Sequence, residues 1–133
     1  MLVERIENRW LAAFTRTFTL CKVQPGEVVA ILAETQSRRV NVDLARLALE
    51  AMGARVFEVT LTTPALTAPA PVRSTGASDA IGQLGPVVAA LARADMVVDC
   101  TVEGLLHAPE LPTIMKGVDG HMPRLLMVSN EHP

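Results

Sequence analysis

A chain of 133 residues can bury one hydrophobic core but is too short for two ordinary domains. Half of its residues are hydrophobic and its formal charge is −2, which excludes disorder by composition and offers no electrostatic footprint for nucleic acid or an anionic membrane surface. No apolar run reaches the length of a bilayer span, and Glu4, Arg5, Glu7 and Arg9 interrupt the start where a secretory signal needs an apolar stretch, so a cytoplasmic chain is expected. Cys21 and Cys100 sit in apolar runs without metal-ligand spacing and read as buried free thiols, suited to a reducing compartment.

The elements follow in chain order. Ile6, Trp10, Ala13, Phe14, Thr17, Phe18 and Cys21 recur at helical spacing, with Glu4, Arg5, Arg9 and Arg16 on the other side, and predict an amphipathic helix that stops before the turn signal Gln24-Pro-Gly-Glu27. Val28 to Ala33 is continuously apolar, as in a strand covered on both faces. After the polar stretch 34–39, Val40, Leu44, Leu47, Ala48 and Ala51 mark a helix face closed by Gly53, whose lack of a side chain suits a left-handed cap. Arg55 to Thr62, rich in β-branched residues, completes a βαβ crossover and makes the sheet parallel.

Pro64 to Ser78, with several prolines and no periodicity, predicts an irregular surface loop. Ile81, Leu84, Val88, Leu91 and Ala92 define a third helix, in which Gly85-Pro86 is either a kink or the true start. Asp95 to Thr101 is the third strand, residues 109–117 hold a short helix, and Arg124 to Ser129 form the fourth strand. The expected fold is a Rossmann-like α/β domain: an open, mostly parallel sheet of four or five strands, ordered 2-1-3-4, with helices on both faces. The segment ends at Glu131-His132-Pro133 with no helix to cover the last strand, which suggests the N-terminal fragment of a longer enzyme, a missing C-terminal domain, and a homo-oligomer formed over apolar surface around Leu125 and Met127.

Ligands of open α/β sheets bind outside the carboxyl ends of the strands where the strand order reverses, here between the first and third strands. The segments 34–37, 102–107 and 129–132 supply carboxylates, hydroxyls and two of the three histidines, an inventory suited to acid–base chemistry on a small molecule. Thr35, Ser37 and Glu103 are candidate substrate-binding residues and His107 the candidate catalytic one. The first loop, Ala33 to Arg39, has no glycine to admit a pyrophosphate, so it is not a dinucleotide fingerprint. Helix capping by Ser37 or Asn41, with solvated Arg38 and Arg39, is favoured there over an anion site. Gly104 and Pro109 argue against a regular helix carrying Glu103 and His107, and His121 reads as loop filler. No nucleophile–histidine order and no iron or zinc ligand set is evident, so no metal is assigned to the chain itself.

Two stretches add a resemblance. Lys22-Val-Gln-Pro-Gly-Glu27 before an apolar strand, with Ala51-Met-Gly-Ala-Arg-Val56 after it, resembles the start of the thermophilic-type leucyl aminopeptidase family. Ala94-Asp-Met-Val-Val-Asp99, Leu105-Leu-His-Ala-Pro-Glu110 and Arg124-Leu-Leu-Met-Val128 look closer to the related 2,5-dihydroxypyridine 5,6-dioxygenases of bacterial nicotinate breakdown. That resemblance implies a substrate-facing wall in which His107 matches the family's acid–base histidine. It also implies Fe(II) in a full-length parent, held by residues outside this chain. An aminopeptidase N-terminal domain and a stand-alone small-molecule binding module are the alternatives.

Overall fold

In the computed structural model, which describes residues 5–65, 77–131 and 133, the unbroken apolar run at the first strand explains the architecture. β1 (Val28–Glu34) and β3 (Met96–Cys100) pair in parallel at the centre of the sheet, and β2 (Arg55–Leu61) and β4 (Arg124–Met127) flank them in the order β2-β1-β3-β4. Side chains alternate across a strand, so a strand apolar at every position needs cover on both faces. Val29, Ile31 and Ala33 of β1, with Met96, Val98 and Cys100 of β3, face one core. Ala30, Leu32 and Val97 face the other.

Helices α1 (Asn8–Leu20) and α2 (Arg39–Ala51) cover the first core through Phe18, Val42, Ala45 and Leu49. Helices α3 (Gly85–Arg93) and α4 (Leu111–Lys116) cover the second through Leu91 and Ile114, with Ile81 and Leu105 added from the loops. Pro86 stands in the first turn of α3, where its missing N–H costs no hydrogen bond, so Gly85-Pro86 is the start of that helix and not a kink. Gly53 (φ +86°) turns the chain after α2, and a Cβ there would sit 3.0 Å from Pro25.

Several local expectations are corrected. The buried face of α2 runs through Asn41, Leu44, Ala45, Ala48 and Leu49, while Leu47 and Ala51 are exposed. Residue Arg38, with no side-chain cap, precedes α2, so neither Ser37 nor Asn41 caps it. Cys100 is buried, but Cys21 only half so, and both thiols are free. Most of the expected Pro64 to Ser78 loop, residues 66–76, lies outside the described residues, as does His132. Among the described residues no helix is long and apolar enough to cross a membrane. On β4, Leu125 is half-buried and Met127 exposed.

Polar contacts fasten the amino-terminal edge of the sheet. Arg124 opens β4 and donates to the carbonyls of Cys21 (2.7 Å) and Lys22 (2.9 Å) behind α1, and also to the Glu27 carboxylate. Asp95 accepts from the Val28 amide at 2.8 Å and pairs with the His121 imidazole at 2.8 Å, so His121 has a partner and is not filler.

The Arg124 hydrogen bond holds the Glu27 carboxyl below its ordinary range, against the opposing effect of burial. A carboxyl that ionises more readily folded than unfolded stabilises above its unfolded value, near 4.5, and loses that stabilisation as the pH falls through the lower folded value. Replacing Arg124→Ala should cost about 1–2 kcal/mol at neutral pH, the half-exposed site weakening the pair, and should remove this acid-side loss. Urea titrations of both proteins at pH 7 and pH 3 check it, and superimposable stability profiles would contradict it.

Candidate functional site

The carboxyl ends of the strands carry the site. After β1 the chain turns at Glu34 to Ser37. The Ser37 hydroxyl accepts from the Glu34 amide (2.8 Å) and donates to the Cys100 carbonyl (2.6 Å) at the end of β3. Thr35 binds the other way, its hydroxyl accepting from the Thr63 amide at 3.0 Å beyond β2. The Ser37 bonds tie the end of β1 to the end of β3, and the Thr35 bond ties it to the residues after β2. A cleft opens between the segments that follow β3 and β4.

That cleft encloses about 410 Å³, and Asp99, Glu103, His107, Met127 and Asn130 are among its lining residues. Its size falls within the usual range for small-molecule sites, about 300–1,000 Å³. Glu103 and His107 therefore share one wall, whereas Thr35 and Ser37 do not line it. As expected, no helix connects Glu103 and His107. The chain passes instead through Gly104 (φ +82°), a backbone conformation that favours glycine, into a turn in which the Ala108 amide bonds the Leu105 carbonyl at 3.0 Å. Leu105 and Ala108 are buried in the α3/α4 core while Leu106 and His107 between them are exposed. The turn is pinned at both ends and presents the imidazole at its tip.

Asp99, 1 % exposed, is the residue that sequence reasoning passed over. Its carboxylate accepts from the Thr101 amide (3.0 Å), the Thr101 hydroxyl (2.5 Å) and the Leu105 amide (2.8 Å). Burial pushes this carboxyl above the usual aspartate range, while the bonds from Thr101 and Leu105 pull it back. Glu34, 4 % exposed, accepts from the Val102 amide (2.6 Å) and the Ser78 hydroxyl (3.3 Å). The one signal for Asp99 was a charged residue inside an otherwise apolar strand. The neighbouring Cys100 thiol is pushed up to about 12, chiefly by burial and then by the Asp99 charge, and stays protonated and inert.

The facing wall is held from α2. Asn41, buried on that helix, donates its amide to the carbonyls of Ser129 (3.2 Å) and Glu131 (2.8 Å). The Arg38 amide and guanidinium bond Asn130 at 2.9 and 3.3 Å. Among the described residues no group of three or more His, Cys, Asp or Glu side chains comes together to hold a metal ion.

Fold and cleft together define an open parallel α/β domain that offers an acid–base inventory to a small molecule at its carboxyl edge. The chain belongs to the 2,5-dihydroxypyridine 5,6-dioxygenase family, whose model matches residues 9–133. The structure of the 2,5-dihydroxypyridine dioxygenase from Pseudomonas putida KT2440 is similar, with a TM-score of 0.77 and 28% sequence identity. The match covers 94% of this chain and 35% of that one, so the chain spans about a third of that enzyme's length. Among curated proteins none matches the chain. Of the two relatives that the sequence resembles, the dioxygenases are therefore the family.

Ser37→Ala would leave the Glu34 amide and the Cys100 carbonyl without their shared partner. The expected cost is about 1–3 kcal/mol of unfolding free energy, as for a lost buried hydrogen bond. Denaturant unfolding checks it. Unchanged stability combined with lost ligand affinity would instead make Ser37 a direct ligand contact.

Proposed function

We propose that this chain forms the substrate-facing domain of a cytoplasmic enzyme that opens the ring of a dihydroxypyridine with dioxygen, a step suited to nicotinate breakdown, and that His107 is its acid–base residue. The observation that carries this reading is the turn 105–108, which buries its two ends and holds His107 exposed at the mouth of the cleft. Family membership supplies the class of reaction.

Losing its proton makes the oxygen of a ring hydroxyl a far stronger electron donor, and histidine exchanges protons near neutral pH without a large environmental shift. His107 takes that proton at an imidazole nitrogen. Glu103, on the same wall, orients the ring, and the apolar surfaces of Leu106 and Met127 flank it. Thr35 and Ser37, the other candidates for substrate contact, bond the Thr63 amide and the Cys100 carbonyl at the carboxyl edge of the sheet.

Fe(II) belongs to the full-length enzyme in this reading. The described residues of this chain do not fit an iron site, and the chemistry at the metal is assigned to the rest of the parent. The partly exposed outer edge of β4, around Leu125 and Met127, is where that remainder or a second copy would pack.

His107→Ala in the full-length enzyme should lower kcat for 2,5-dihydroxypyridine by about 100- to 10,000-fold, the range for removal of a general base, with iron content and melting temperature unchanged. Steady-state kinetics with elemental analysis checks this. Turnover within about threefold of the wild type would overturn the role.

A further inference from the structure

Glu34 and Asp99 are buried carboxylates, and among the described residues neither forms an ion pair. A carboxylate taken out of water needs either a cation or a full set of hydrogen-bond donors. Here the donors come mainly from one loop. Asp99 takes the amides of Thr101 and Leu105 and the Thr101 hydroxyl, and Glu34 takes the amide of Val102. Glu34 also takes the Ser78 hydroxyl, while the Ser78 amide binds the Gly104 carbonyl at 2.8 Å. Register places the two carboxylates on one face of the sheet. Asp99 pairs with Leu32, and Glu34 follows Leu32 by one strand repeat. Both act at the upper rim of the α3/α4 core, where Leu105 is buried.

We propose that Asp99 and Glu34 are a pair of positioning residues that shape residues 101–105 and so fix the direction in which His107 leaves the turn. Neither touches the substrate in this role. The backbone bond to Leu105 sets where the buried end of the turn begins, and His107 follows two residues later. Asp99 accepts at both oxygens, from Thr101 at one and Leu105 at the other, so an amide in its place turns one acceptor into a donor facing an N–H. The Val102 and Ser78 bonds, by contrast, meet a single oxygen of Glu34 and are removed only by truncating the side chain. The burial of each charge and the conformation of the loop are thus coupled, because either one lost undoes the other. The proposal rests on the acid–base reading of His107, and its test separates the two.

The test uses the iron-loaded full-length enzyme with Asp99→Asn, Glu34→Ala and, as a control, Glu58→Gln, which removes a carboxylate paired with Arg39 on the outer strand β2. Deuterium uptake by residues 101–107 should quicken by about tenfold or more in the first two variants and not in the control. In the same two variants kcat should fall by about 10- to 100-fold while KM changes less than about threefold, because a misdirected base slows proton transfer more than it weakens binding. Uptake unchanged in Asp99→Asn and Glu34→Ala, or quickened uptake with unchanged kcat, would overturn the proposal. If neither variant folds, Thr101→Val removes only the hydroxyl donor to Asp99, and the same two readouts should move by about three- to tenfold. An active His107→Ala enzyme alongside quickened uptake in Asp99→Asn would sink the acid–base reading while leaving the loop-holding role intact.

Discussion

The capture of backbone N–H groups by the buried carboxylates of Asp99 and Glu34 is the interaction on which the cleft depends. A loop leaving a central strand loses the ladder partners of its amides, and buried amides must find others. Water can supply them at an exposed edge, but at the rim of a close-packed core the partner must be protein. Asp99 and Glu34 fill that need from two adjacent strands. The same contacts bring Leu105 into the core and leave the imidazole two residues on facing outward.

The two ends of the sheet divide the work. At the amino-terminal edge Arg124, Glu27, Asp95 and His121 join the start of β4, the end of α1 and the start of β1. Half-exposed charge pairs there contribute modestly to stability. At the carboxyl edge the polar groups sit deeper and act on loops. Ser37 joins the ends of β1 and β3, and Asn41 with Arg38 holds the segment beyond β4 against the start of α2. Such an arrangement puts support under both walls of a cleft whose lining residues Glu103 and His107 stand on loops.

The sheet was legible in the sequence because its signal is local. Val28 to Ala33 and Met96 to Cys100 are apolar at successive positions, apart from Asp99, and only a strand covered on both faces tolerates that pattern. Parallel pairing and the order β2-β1-β3-β4 follow from alternation with helices. The edge of the sheet that carries the cleft was equally legible, since fold topology fixes it. The contacts that hold the walls were not, because bonds such as that of the Ser37 hydroxyl, made across 63 residues, are set by the fold and by no local pattern. Asn41 drew notice only as a helix cap, and its true partners are carbonyls some 90 residues on. The partners of Asp99 are close in sequence, at Thr101 and Leu105, but they are loop donors that no periodicity encodes. His107 was singled out by its place after the third strand and reinforced by resemblance to a family, and its presentation at the tip of a pinned turn became visible only in three dimensions.

The account stands on His107 meeting a ring hydroxyl of the substrate. A crystal structure of the full-length enzyme with 2,5-dihydroxypyridine bound under anaerobic conditions tests that contact directly. An imidazole nitrogen of His107 within hydrogen-bond reach of a ring oxygen, about 2.6–3.2 Å, is the predicted result. A ring bound elsewhere, with His107 in solvent and another side chain at the hydroxyl, would contradict the account.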